Sequence, residues 1–116
     1  MSKRPSPRTT ALRRQRDRLL TQLGALFLFI RGSFFQRYST CSRPSCACHR
    51  GQRHGPRSYV VVTVGRAQKQ YYVPQDQVPT VREGVRQYRR LLAILDRITA
   101  INLELMRGGR LHEPDL

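Results

Sequence analysis

Three cysteines and a histidine fall within 14 residues as Cys41-x4-Cys46-x-Cys48-x5-His54. Thiolate and imidazole are the preferred ligands of zinc, which takes four donors in tetrahedral geometry at about 2.0–2.3 Å. The four side chains can converge on one ion only if the chain bends sharply, and Pro44, Gly51 and Gly55 permit such bends. Arg43, Arg50 and Arg53 surround the group and favour thiolate over thiol. His49 competes for the fourth position, but it adjoins Cys48, and neighbouring residues seldom aim at one ion without backbone strain. Spacing therefore favours His54. An iron or iron–sulfur site suits three thiolates less well than zinc does. The competing reading is a loop of free thiols with redox chemistry, since three cysteines cannot all pair within one chain. The spacing matches neither a two-Cys two-His finger nor a zinc deaminase.

Such a site is expected to be structural. Four protein ligands close a zinc ion and leave no position for water. Asp17 is the only acidic residue before residue 74, so no carboxylate general base is at hand, and Ser33, Ser39 and Ser45 have no paired base. The expectation is that the protein is not an enzyme.

The charge distribution points to a partner instead. The 116 residues carry 22 Lys and Arg against 7 Asp and Glu, a net charge of +15. Residues 1–73 hold 15 of the basic side chains and one acid, whereas residues 74–116 are nearly balanced. All but Lys3 and Lys69 of the basic residues are Arg, whose planar fork suits phosphate and guanine edges. A GC-rich genome would also enrich Arg over Lys, but it would not remove acids from the first two-thirds. Hydrophobic residues make up 39% of the chain, which fits one small domain with a modest core that gains from a metal staple. The most apolar run, residues 19–30, is too short to span a membrane, and Arg31 follows it with no small-x-small cleavage site. No membrane partner is expected, and the cytoplasm is the default location.

The elements that must position these residues follow from periodicity. Residues 1–8 read as a disordered basic tail. Thr9 or Thr10 can cap a helix running to about Ile30, with Leu12, Leu19, Leu23, Leu26 and Ile30 on one face and Gly32 as a stop. Residues 34–40 form a short strand, 41–56 an aperiodic metal knuckle, and 58–73 a β-hairpin that turns at Gly65-Arg66. Residues 74–79 link this to a helix over 80–107, opened by the capping-box spacing of Thr80 and Glu83 and ended by Gly108-Gly109. Its apolar stripe is Val81, Val85, Tyr88, Leu92, Leu95, Ile98, Asn102 and Leu105, widened by Leu91, Ile94 and Ile101. Residues 108–116 are a flexible tail in which His112 is solvated. The expected class is α+β: a single zinc-stabilised domain over 9–107, with a small antiparallel sheet packed on helices.

Gly32-Ser33, Cys41, Pro44, Cys46, Cys48, Gly51, His54-Gly55-Pro56, Tyr59, Gly65-Arg66, Val73-Pro74 and Tyr88-Arg89-Arg90-Leu91 occur in a telling order. Over roughly residues 12–107 the chain resembles an uncharacterised family of small bacterial and archaeal proteins. Members of that family look like Cys-Gly-x-Pro-x-Cys-x-Cys followed by His-Gly-Pro, a β-hairpin and a long C-terminal helix. The chain departs from that pattern with Ser42 in place of glycine, and with Arg57 and Ser58 where tyrosines are usual. The resemblance implies that Cys41, Cys46, Cys48 and His54 act as one unit, with His49 outside it. It implies no activity, and it suggests companionship with mobile elements.

Two functions compete. In the first, the knuckle and hairpin bind nucleic acid, DNA or RNA. Arg37, Arg43, Arg50, Arg53, Arg57, Arg66 and Lys69 would grip phosphates, and Tyr59 and Tyr71 or its neighbour Tyr72 would stack on bases. At least one of Tyr71 and Tyr72 must point away from the core, because strand side chains alternate. In the second, residues 80–107 dimerise or dock on a larger protein partner, with Asn102 setting register and zinc purely structural.

Overall fold

A computed structural model describes residues 6–111. The first five residues of the expected tail, and residues 112–116 with His112, lie outside the described residues. The chain is α+β: helix α1 (Pro7–Gly24), strands β1 (Ser33–Ser39), β2 (His54–Val64) and β3 (Ala67–Val73), and helix α2 (Val78–Arg107). Short 3-10 turns at Ala47–Arg50 and Gln75–Gln77 complete it. The residues divide into two compact units, one built from the chain up to Phe27 together with that from Tyr88 on, the other from Leu28–Gln87.

Helix α1 starts earlier and ends earlier than its periodicity suggests. Ser6, not Thr9 or Thr10, is the cap: its Oγ accepts from the Thr9 N–H at 3.1 Å. Pro7 then occupies the first turn, where its missing N–H is not needed. The helix stops at Gly24, and the Ala25 N–H closes it on the carbonyls of Gln22 and Leu23. Residues 28–30 cannot continue it, because their backbone is committed to other partners. The Ile30 N–H donates to the Gly84 carbonyl at 2.9 Å, and the Leu28 N–H donates to Gln87 Oε1 at 3.1 Å.

In the first unit the core is Leu19, Leu26, Ile94, Ile101 and Leu105, with Leu12, Leu23, Leu91 and Ile98 packed against it. The buried line of α2 therefore runs 91, 94, 98, 101, 105: Ile98 and Leu105 of the expected stripe together with the residues that widen it, Leu91, Ile94 and Ile101. Leu92 and Leu95 are 43% and 41% exposed. Asn102 accepts from Arg16 Nη1 at 2.9 Å, which occupies its side-chain oxygen within the chain. Arg16 stands where the α1 stripe is interrupted between Leu12 and Leu19, so the two polar groups meet in a seam otherwise apolar. Arg8 and Glu104 form an ion pair.

Helix α2 also begins differently. The turn Gln75–Gln77 runs straight into it, with the Gln77 N–H bonded to the Pro74 carbonyl at 2.9 Å. Thr80 and Glu83 are thus inside the helix, and the capping box is not made. Glu83 pairs instead with Arg86 at 2.9 Å. Among the described residues no helix is long and apolar enough to cross a membrane.

In the second unit the sheet order is β1-β2-β3, antiparallel throughout. Val64 pairs with Ala67 across the expected Gly65-Arg66 turn. Strand β2 begins at His54, inside the expected knuckle. Its first four residues face β1 alone, because β3 pairs only from Ser58 onward. There the register slips between Arg37 and Ser39, so that Gly55 and Pro56 together oppose Tyr38. Proline is tolerated at such a bulge, where no ladder N–H is required.

The close approach at Gly84 gives a test of how residues 28–30 are held. A Cβ at Gly84 would lie 2.7 Å from the Leu28 carbonyl oxygen and 2.9 Å from the Ile30 side chain. Alanine is the better helix former by about 1 kcal/mol, but the clash involves backbone, so strain of about 1–3 kcal/mol is expected to win. Gly84→Ala should lower the midpoint of thermal unfolding followed by circular dichroism. A raised midpoint would mean that the 28–30 segment yields freely.

Candidate metal centre

The four candidate ligands come from the closed end of the β1–β2 pair. Ser39 pairs with His54, so the chain between them leaves and re-enters the sheet at one place. Cys41 stands two residues beyond β1. A turn closed by the Cys46 N–H on the Arg43 carbonyl at 3.1 Å brings the chain back. Cys46 caps the 3-10 turn Ala47–Arg50, and Cys48 lies inside that turn, 2% exposed. Gly51, at a φ of 102°, ends the turn and directs the chain to His54. Gly55 holds the strand against β1: a Cβ there would meet the Arg37 carbonyl oxygen at 2.9 Å.

The donor atoms of Cys41, Cys46, Cys48 and His54 all lie within 4.8 Å of one another. Tetrahedral zinc, with metal–sulfur bonds of about 2.3 Å and metal–nitrogen bonds of about 2.0–2.1 Å, separates its sulfurs by about 3.8 Å and sulfur from nitrogen by about 3.6 Å. Here Cys41 Sγ and Cys48 Sγ are 3.6 Å apart, and Cys46 Sγ and His54 Nε2 are 3.3 Å apart. These two separations are close to the edges of such a tetrahedron. A disulfide would need about 2.05 Å, and the three thiols are unbridged. The group could hold one metal ion. His49 is exposed on the 3-10 turn and is not part of it.

The surroundings favour thiolate unequally. The Cys48 backbone N–H holds the Cys46 thiol down to about 6, aided by the Cys48 and Cys41 thiols and by His54. Burial pushes the Cys48 thiol up. Cys48 Sγ accepts the Cys41 N–H at 3.3 Å, a bond of the kind that stabilises a ligating sulfur. Cys46 thus gives up its proton more readily than Cys48, and a metal ion entering at neutral pH displaces one from Cys48.

The remaining sequence candidates are spread over the loop and the sheet, with Arg66 and Lys69 toward the opposite end of β2 from His54. Arg43, Arg50 and Arg53 are exposed on the loop, Arg66 on the hairpin turn and Lys69 on β3. Arg37 and Arg57 are exposed and sit directly opposite each other on β1 and β2. The tyrosines divide. Tyr59 pairs across the ladder with Phe35 on one side and Tyr72 on the other, whereas Tyr71 belongs to the opposite face with Val60. Phe35 and Tyr72 are therefore the aromatic neighbours of Tyr59. Alternation and the tyrosine pair hinted at one outward ring, but only the register names it.

A small α+β protein carrying a Cys3His cluster competent to hold a metal ion is the class that this fold and site define. Within that class, the chain belongs to the family described as a domain of unknown function (DUF6788), whose model matches residues 9–83. The match covers α1, the metal cluster and all three strands, and ends in the first turns of α2. No curated protein and no solved structure matches the chain.

Proposed function

We propose that the protein is a small zinc-binding nucleic-acid-binding protein in which the metal is structural. One observation carries the reading. Arg37, Arg43, Arg50, Arg53, Arg57, Arg66 and Lys69 are all exposed, and among the described residues none of them is ion-paired. The chain has no acidic residue between Asp17 and Asp76 to neutralise them. A field of one sign with no internal counter-charge attracts polyanions, and phosphate backbones are the commonest match for arginine forks. Zinc is the metal proposed because three thiolates and an imidazole at tetrahedral spacing suit it best. With four protein ligands the ion is closed, which supports a structural and not a catalytic role.

Salt dependence tests this reading. Fluorescence anisotropy with a labelled 20-nucleotide oligomer should show affinity falling about 50-fold or more between about 50 and 200 mM salt, from displaced counterions at several phosphates. Absence of binding at low salt, or binding indifferent to salt, would remove it.

A second reading has its own observation. Leu92, Leu95, Leu103 and Met106 of α2 are 41–53% exposed, an apolar surface on which a second copy or a larger protein could dock. Molecular mass in solution across a range of protein concentrations separates a self-associating chain from a monomer.

A further inference from the structure

We infer that the solvent face of the sheet is a stacking platform for single-stranded nucleic acid. Phe35, Tyr59 and Tyr72 would receive bases, and Arg37 and Arg57 the phosphates beside them. This rests on the nucleic-acid reading above and names the form of nucleic acid and the surface that takes it.

The two faces of the sheet differ. Ser58, Val60 and Val73 share one face and are 3%, 7% and 3% exposed. Phe34, on that same face, lies beneath the Arg82 guanidinium, 4.7 Å from its ring centre. Alternation then turns Phe35, Tyr59 and Tyr72 the other way. Ladder pairing sets them side by side across all three strands, as Phe35↔Tyr59 and Tyr59↔Tyr72. The Phe35 and Tyr59 rings are stacked with centres 5.4 Å apart, and Tyr72 meets Tyr59 edge-on at 5.9 Å. Tyr72 remains 60% exposed. A row of rings on an open sheet offers flat apolar surface in steps of one strand spacing, which suits bases taken one at a time.

The next row on that face is Arg37↔Arg57. Like charges directly opposite on a ladder destabilise it, and no described carboxylate relieves this pair. Arg37 also lies over the rings, 5.5 Å from the centre of Phe35 and 5.6 Å from that of Tyr59. The face thus presents an unneutralised pair of guanidinium groups one row from three aromatic rings. A phosphate answers the first feature and an unpaired base the second. Duplex DNA or RNA offers the phosphate but hides the faces of its bases in the stack, so the whole surface is matched only by a single strand.

The experiment uses the full-length, metal-loaded protein and four 12-residue probes: oligo-dT, oligo-rU, a DNA duplex, and an abasic deoxyribose-phosphate strand. The chain has no Trp, so its emission comes from five tyrosines, two of which, Tyr59 and Tyr72, stand in the aromatic row. Oligo-dT or oligo-rU should bind at least about ten-fold more tightly than the abasic strand and quench tyrosine emission; the ratio of dT to rU affinity says which nucleic acid is preferred. Tyr72→Leu should weaken binding of the better of these two about ten-fold and leave the abasic strand unchanged. Because Tyr72 is largely exposed, that variant should fold; Phe35→Leu provides a second probe of the row. If the single strands bind no better than the abasic strand or the duplex, or if neither variant matters, the stacking face is wrong while the electrostatic reading survives. If no probe binds at all, the nucleic-acid reading fails with it.

Discussion

Removal of the metal is expected to dissolve the β1–β2 end of the sheet. Between residues 40 and 57 only Cys48 is buried, so the loop has almost no apolar contacts of its own. The first four residues of β2 pair on one side only. Two or three short strands are marginal without further support. A structural zinc ion supplies an apparent binding free energy of about 10–16 kcal/mol in small zinc-finger peptides, comparable to the whole stability of a typical domain. Titration with a strong chelator should therefore abolish amide protection over His54–Val64 in hydrogen exchange. The α-helical circular dichroism signal, which arises from α1 and α2 with their own core, should largely persist. Cys48→Ser should reproduce the loss even with zinc in excess, His54→Ala should weaken zinc at least about ten-fold, and His49→Ala should do neither.

Acid should act in the same direction as the chelator. Ligation requires deprotonated thiols and a neutral imidazole, so affinity falls as pH falls. The Cys46 thiol, already held down to about 6, contributes stability above its ordinary range that is lost as pH passes downward through that value. Metal release followed by mass spectrometry should accordingly increase as pH is lowered. A chelated protein with a fully protected sheet would mean that the metal is dispensable and would return the three thiols to redox chemistry.

The ligand set was legible because coordination chemistry is local. Four donors of the right type within 14 residues, with turn-forming residues between them, leave few arrangements open. The hairpin was legible for the same reason, since β-branched runs flank a Gly-Arg turn. Less accessible were features set by contacts distant in sequence. Helix α1 ends at Gly24 because residues 28 and 30 bond to the region of Gly84 and Gln87, which no local pattern reveals. The capping box at Thr80 and Glu83 is a valid local signal, overridden when the preceding 3-10 turn extended the helix to Val78. The row formed by Phe35, Tyr59 and Tyr72 depends on ladder register, and the bulge at Gly55 and Pro56 shows how one residue can shift it.

The division of the expected α2 stripe into a buried and an exposed line leads to the second large effect. Leu105→Ala is expected to destabilise the helical unit by about 2–5 kcal/mol, the range for a buried leucine whose cavity cannot fully collapse. Leu105 is 2% exposed and sits in the same cluster as Leu19, Ile94 and Ile101. Leu92→Ala should change stability by no more than about 0.5 kcal/mol, because Leu92 is 43% exposed. The sequence stripe assigns both residues to one face, so the pair of variants discriminates where either alone would not. A helix of 30 residues at 3.6 per turn can present either line, and a shift of one residue turns the face by about 100°. Urea unfolding of the metal-loaded protein, followed by the helical signal, measures both. If Leu92→Ala proves the costlier change, and its effect grows with protein concentration, the exposed line of α2 is buried by a second copy in solution. If Leu105→Ala dominates at every concentration, the contact between α1 and α2 is what holds the helices.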